Sequence, residues 1–102
     1  MSLSTHVLDA ARGAPAEGVP VRLEQGGSVL AEAVTDADGR VGDLGPLAVG
    51  THRLVFDTGA WFGDTPAFYP EVTISFTVTD PDRHHHVPLL LSPFAYSTYR
   101  GS

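Results

Sequence analysis

Glu71-Val72-Thr73-Ile74-Ser75-Phe76-Thr77-Val78-Thr79 decides the fold. Val72, Ile74, Phe76 and Val78 alternate with Thr73, Ser75 and Thr77 without a break. Successive side chains of a strand point to opposite faces, so one face here is apolar and turned inward while the other presents hydroxyls to water. The same parity carries outward in both directions. Residues 51–57 set Leu54 and Phe56 against Arg53 and Val55. Residues 84–91 and 95–99 read as the two strands that follow. Toward the amino terminus, residues 29–35 form a strand closed by the turn Thr35-Asp36-Ala37-Asp38-Gly39. Residues 19–24 place Val19, Val21 and Leu23 on one face, and residues 3–8 form a first short strand. Only residues 58–64 suit a short helix. Roughly seven strands with turns every 8–12 residues predict an all-β protein, a two-sheet antiparallel β-sandwich with one short helix.

The chain has 102 residues, which predicts one domain over 1–102 with a core large enough to need no staples. Hydrophobic residues at 42% and charged residues at 18% fit a folded chain rather than a disordered one. Six basic against twelve acidic residues give a net charge of −6, which argues against a nucleic-acid partner, since phosphate contacts need a basic stripe. All six basic residues are Arg; the absence of Lys removes Schiff-base chemistry and a phosphate-loop lysine. The absence of Cys removes a thiol nucleophile, disulfides and thiolate metal sites. With no Asn, there is no N-glycosylation acceptor. The opening Met1-Ser2-Leu3-Ser4-Thr5-His6 lacks the basic and apolar regions of a leader, and the apolar runs are too short to span a membrane. The expected location is cytoplasmic.

His, Arg, carboxylates and hydroxyls remain for chemistry. On a strand, His84 and His86 share a face and His85 points the other way. That pair could ligate zinc with His6 as a third imidazole and Asp80 or Asp82 nearby; the plainer reading is a polar strand start. His6 lies on the face of Ser4 and Leu8, opposite Leu3, Thr5 and Val7. Arg40 follows the Asp-Gly turn and Arg53 sits on a regular strand; composition favours neither. The closing Tyr96-Ser97-Thr98-Tyr99-Arg100-Gly101-Ser102 is dense in hydrogen-bonding groups, and reads either as a docked end or as a solubilising tail. Asp36, Asp38, Asp80 and Asp82 fall in turns, where Asp serves the backbone. No glycine-rich phosphate loop, Gly-x-Ser-x-Gly elbow or His-Glu-x-x-His motif is present.

Together these segments carry a resemblance. Leu3-Ser4-Thr5-His6-Val7-Leu8-Asp9 followed by Gly13-Ala14-Pro15-Ala16 is similar to the start of the transthyretin-like 5-hydroxyisourate hydrolases. Thr35-Asp36-Ala37-Asp38-Gly39-Arg40, Phe68-Tyr69-Pro70-Glu71-Val72 and the run from His84 to Pro93 resemble the later blocks of that family, in order. Tyr99-Arg100-Gly101-Ser102 resembles the terminal tetrapeptide that separates these hydrolases from the hormone-carrying transthyretins. Ala95 departs from the Gly usual before the Tyr-Ser-Thr-Tyr run.

The resemblance implies a sandwich of the transthyretin type and the hydrolysis of 5-hydroxyisourate to 2-oxo-4-hydroxy-4-carboxy-5-ureidoimidazoline in urate breakdown. It implies His6, Arg40, His86 and Ser102 as catalytic residues, with Tyr99 and Arg100 joining His6 and Arg40 in binding the substrate. His86 matches because it precedes Val87-Pro88, and Arg40 because it follows the turn of the second block. Either His6 or His86 would be the base, helped by the hydroxyl or terminal carboxylate of Ser102. No metal or other cofactor is implied. The expected assembly is a homotetramer, a dimer of dimers, with active sites at the interface between dimers. The alternatives are a non-catalytic carrier of small ligands on the same fold and a general interaction sandwich with a zinc-binding histidine cluster.

Overall fold

The computed structural model describes residues 3–102; Met1 and Ser2, part of the stretch read above for a leader, lie outside the described residues. Two sheets pack face to face. One has the order β4 (Ser28–Val34), β3 (Pro20–Gln25), β6 (Gly50–Phe56), β7 (Val72–Val78), antiparallel throughout. The other runs β2 (Ala14–Pro15), β1 (Leu3–Asp9), β8 (His85–Ser92), β9 (Ala95–Thr98), with β5 (Arg40–Val41) also on β1. One short helix, α1 (Thr58–Phe62), links β6 to the loop before β7. The seven strands fall where alternation placed them, and the helix lies within the stretch 58–64 that suited one. The two-residue strands β2 and β5 are too short to show any periodicity.

Alternation explains the core. Leu3 and Val7 from β1, Leu23, Leu54 and Phe56 from the facing sheet, and Leu89 and Leu91 from β8 are buried between the layers. Val72, Ile74 and Val78 of the deciding stretch join them, while Phe76 packs at the margin. The buried threonine hydroxyls inside this layer are paired, as buried polar groups generally are. Thr5 Oγ1 donates to the Val87 carbonyl at 2.6 Å, and Thr35 Oγ1 donates to the Ala16 carbonyl at 2.7 Å. At the helix start the Asp57 carboxylate accepts the Ala60 N–H at 3.1 Å, an ordinary amino-terminal cap.

One pairing departs from the antiparallel pattern and positions the site. β1 and β8 run parallel, with Ser4 opposite His86, His6 opposite Pro88 and Leu8 opposite Leu90. Residues opposite one another share a face, so Ser4, His6, Leu8, His86 and Leu90 stand together on the outside of this sheet, all half-buried. β5 closes the other side of β1 and sets Arg40 opposite His6.

Candidate active site

Arg40 reaches His6 because of the turn before it. Asp36 Oδ1 accepts the backbone N–H groups of Asp38 and Arg40, each at 2.9 Å, and the Asp36 N–H donates to the Arg40 carbonyl at 2.9 Å. This is the local hydrogen bonding for which Asp is favoured in turns. Gly39 has φ +75°, and a Cβ there would lie 2.4 Å from the Val7 carbonyl oxygen. Gly39 itself accepts the Val7 N–H at 2.7 Å. Only glycine lets the turn press so closely on β1, and the next residue is Arg40.

His86 is held from two sides. Its Nδ1 lies 2.8 Å from Ser4 Oγ, which is also 2.9 Å from His84 Nε2. On the other side the carboxyl-terminal segment docks: the Gly101 N–H donates to the His86 carbonyl at 2.9 Å. A Cβ on Gly101 would lie 2.4 Å from His86 Cδ2, so the backbone of the tail rests on the imidazole edge. Burial holds the His86 pKa below the ordinary 6.5, and the Arg40 guanidinium and the His6 and His84 imidazoles lower it further; hydrogen bonding with the Ser4 backbone pulls the other way. His86 is therefore mainly neutral at pH 7, able to accept a proton.

His6, Arg40 and His86 thus come from β1, β5 and β8 onto one face. Ser102, exposed, borders a small cleft with His84, His85 and Asp80 beside that face. Tyr99 and Arg100 line a groove along the sheet edge with Ile74, Phe76, His85 and Val87, apart from the His6–Arg40 pair within one chain. Arg53 pairs across from Ser75 on the other sheet. His52 is buried in the core, stacked on Phe76, with Nδ1 donating to the Gly50 carbonyl at 3.2 Å. Two residues were missed from sequence: Ser4 and Gly101. Nothing in the chain flags Ser4 until the parallel register of β1 on β8 is known. Gly101 reads as a terminal glycine until its contact with His86 is seen. Among the described residues no three His, Asp or Glu side chains gather closely enough to hold a metal ion.

A transthyretin-type sandwich bearing histidines and an arginine on one open sheet face is the class that fold and site define. The HIUase/Transthyretin family model matches residues 3–101, and the chain belongs to that family. The 5-hydroxyisourate hydrolase of Caulobacter vibrioides is 47% identical over 112 residues, covering 98% of this chain and 97% of the relative. 5-hydroxyisourate hydrolase 2 of Rhizobium meliloti is 47% identical over 116 residues, covering 98% and 95%. Among solved structures, that of Klebsiella pneumoniae 5-hydroxyisourate hydrolase superposes with a TM-score of 0.92 at 42% identity, covering 100% of both chains. Sea bream transthyretin in complex with thyroxine gives 0.91 at 32% identity, covering 99% of this chain and 95% of that one.

Proposed function

We propose that this chain is an enzyme, one hydrolase domain over residues 1–102, that opens the cyclic amide of 5-hydroxyisourate to 2-oxo-4-hydroxy-4-carboxy-5-ureidoimidazoline. The observation that carries the reading is the convergence of His6, Arg40 and His86 on one face, in a chain 47% identical to two proteins named for that reaction. Hydrolysis needs a water made nucleophilic, a stabilised oxyanion and a proton for the departing nitrogen. His86, kept neutral, takes the proton as water adds to the carbonyl carbon. The carbonyl oxygen becomes anionic beside the Arg40 guanidinium, a permanent cation with a planar fork of donors. As the C–N bond breaks, the His86 imidazolium returns its proton to the nitrogen, leaving a ureido N–H and a carboxylic acid that loses its proton to water. His6, opposite Arg40, orients the ring, and Ser102 assists at the end of the docked tail.

The face is half-exposed in one chain, and water competes for every hydrogen bond made there. A homotetramer, a dimer of dimers with the site at the interface between dimers, would roof it and would bring the edge residues Tyr99 and Arg100 of one chain toward substrate. Leu8 and Leu90, beside the histidines, give that contact apolar surface. No helix among the described residues is long and apolar enough to cross a membrane; the proposed location is the cytoplasm. The test follows absorbance while urate oxidase generates 5-hydroxyisourate from urate. Faster loss of the intermediate, abolished by His6→Ala, is the expected result. Decay at the spontaneous rate by a folded, assembled protein would overturn the hydrolase reading in favour of a ligand carrier, the role suggested by the thyroxine-bound neighbour.

A further inference from the structure

The Ser4 hydroxyl stands between two imidazoles, a contact that proton abstraction by His86 does not by itself require. Its Oγ is 2.8 Å from His86 Nδ1 and 2.9 Å from His84 Nε2. A hydroxyl has one proton to donate, so it gives to one nitrogen and accepts N–H from the other. If Ser4 donates to His86, neutral His86 carries its proton on Nε2 and offers no lone pair to a water there. If His86 Nδ1–H donates to Ser4, and Ser4 donates onward to His84 Nε2, then His86 Nε2 is bare and basic.

The proposed chemistry selects the second arrangement: Nδ1 is taken up by Ser4, so His86 can serve as the base only through a bare Nε2. His84 is exposed, so its Nδ1 can carry the ring proton in contact with water and leave Nε2 as the acceptor. Gly101 lies against the opposite edge of the His86 ring, where even a methyl group would be 2.4 Å from Cδ2. The tail thus packs against the ring edge that faces away from Ser4.

We propose that Ser4 is a positioning residue: with His84 behind it, its hydroxyl holds neutral His86 in the Nδ1–H tautomer and leaves Nε2 as the proton acceptor. Which nitrogen of a histidine is basic is set by the hydrogen bond the other one makes. When Nε2 takes a proton, the bonds from Nδ1–H to Ser4 and from Ser4 to His84 keep their direction and strengthen, with no heavy atom moving. Both the tautomer and its kinetic consequence rest on the hydrolase reading.

Nitrogen-15 spectra of the labelled whole protein at about pH 8, where histidine is neutral, separate protonated from bare ring nitrogens. The expected pattern is a protonated Nδ1 and a bare Nε2 for both His86 and His84. Ser4→Ala should mix the two tautomers of His86 and lower kcat about tenfold with KM nearly unchanged, and Ser4→Thr should restore both. A wild-type His86 protonated at Nε2 overturns the proposal, as does a Ser4→Ala enzyme that keeps the wild-type kcat. If Ser4→Ala does not fold, the wild-type spectrum and Ser4→Thr decide. A wild-type protein that leaves 5-hydroxyisourate decay unchanged removes the hydrolase reading, while its spectrum still tests the tautomer.

Discussion

His86 and Arg40 are coupled through charge. Arg40 disfavours the protonated imidazole, second only to burial among the causes that lower the His86 pKa from 6.5. Arg40→Gln removes that repulsion, so His86 should titrate closer to the ordinary value. The sign carries into activity: a base fails once protonated, so the wild-type rate should fall only as pH drops through a midpoint below 6.5. In the Arg40→Gln protein the residual rate should begin to fall at higher pH, besides being lower throughout for want of an oxyanion partner, by about 100-fold or more. Proton NMR titration of the His86 ring gives the same shift without substrate. A midpoint that stays put or moves down would show that Arg40 does not act on His86. Of these side chains, His6, Arg40 and His86 were legible because they sit in recognisable blocks of sequence. Ser4 lies in the same block as His6, but its contact with His86 was not legible, since a hydroxyl on a strand announces nothing until its neighbour across the sheet is known.

Among the elements, the turn from Asp36 to Arg40 shows what a single glycine secures. Gly39→Ala would force a Cβ against the Val7 carbonyl at a backbone angle that L-residues avoid. The expected loss is about 1–3 kcal/mol, read as a lower thermal midpoint. Activity should fall further than stability explains, because β5 can no longer hold Arg40 opposite His6. An active Gly39→Ala enzyme would mean that Arg40 finds its place without the turn. The turn's composition was legible; its purpose was not. Alternation revealed the buried faces of β1, β3 and β7, while β6 also buries Val55 and β9 is exposed throughout; the rows Val72-Ile74-Phe76-Val78 and Val19-Val21-Leu23 carried the fold class. Parity cannot say which strand lies next to which. The parallel contact of β1 with β8, and the two-residue strands β2 and β5, depend on contacts between distant parts of the chain.

For the molecule as a whole, the outer face of β1 and β8 offers Leu8 and Leu90 beside the histidines. Leu90→Glu places a charge where the proposed tetramer would bury an apolar side chain. The expected result is a smaller species by sedimentation, an unchanged β-sheet circular dichroism spectrum and little hydrolysis. A fully assembled and active Leu90→Glu protein would move the interface elsewhere. The strand orders carry one more consequence. β1 to β5 come from the first half of the chain and β6 to β9 from the second, and each sheet joins the halves at one seam: β3 to β6 in one, β1 to β8 in the other. His6 and Arg40 belong to one half, His86 to the other. A chain cut in the exposed loop near Val49 would yield two fragments, each with half of both layers and neither with the whole of the proposed catalytic set. Mixed together, such fragments would regain turnover only by finding each other, so hydrolysis itself would report their association and the protein could serve as a two-part reporter of proximity.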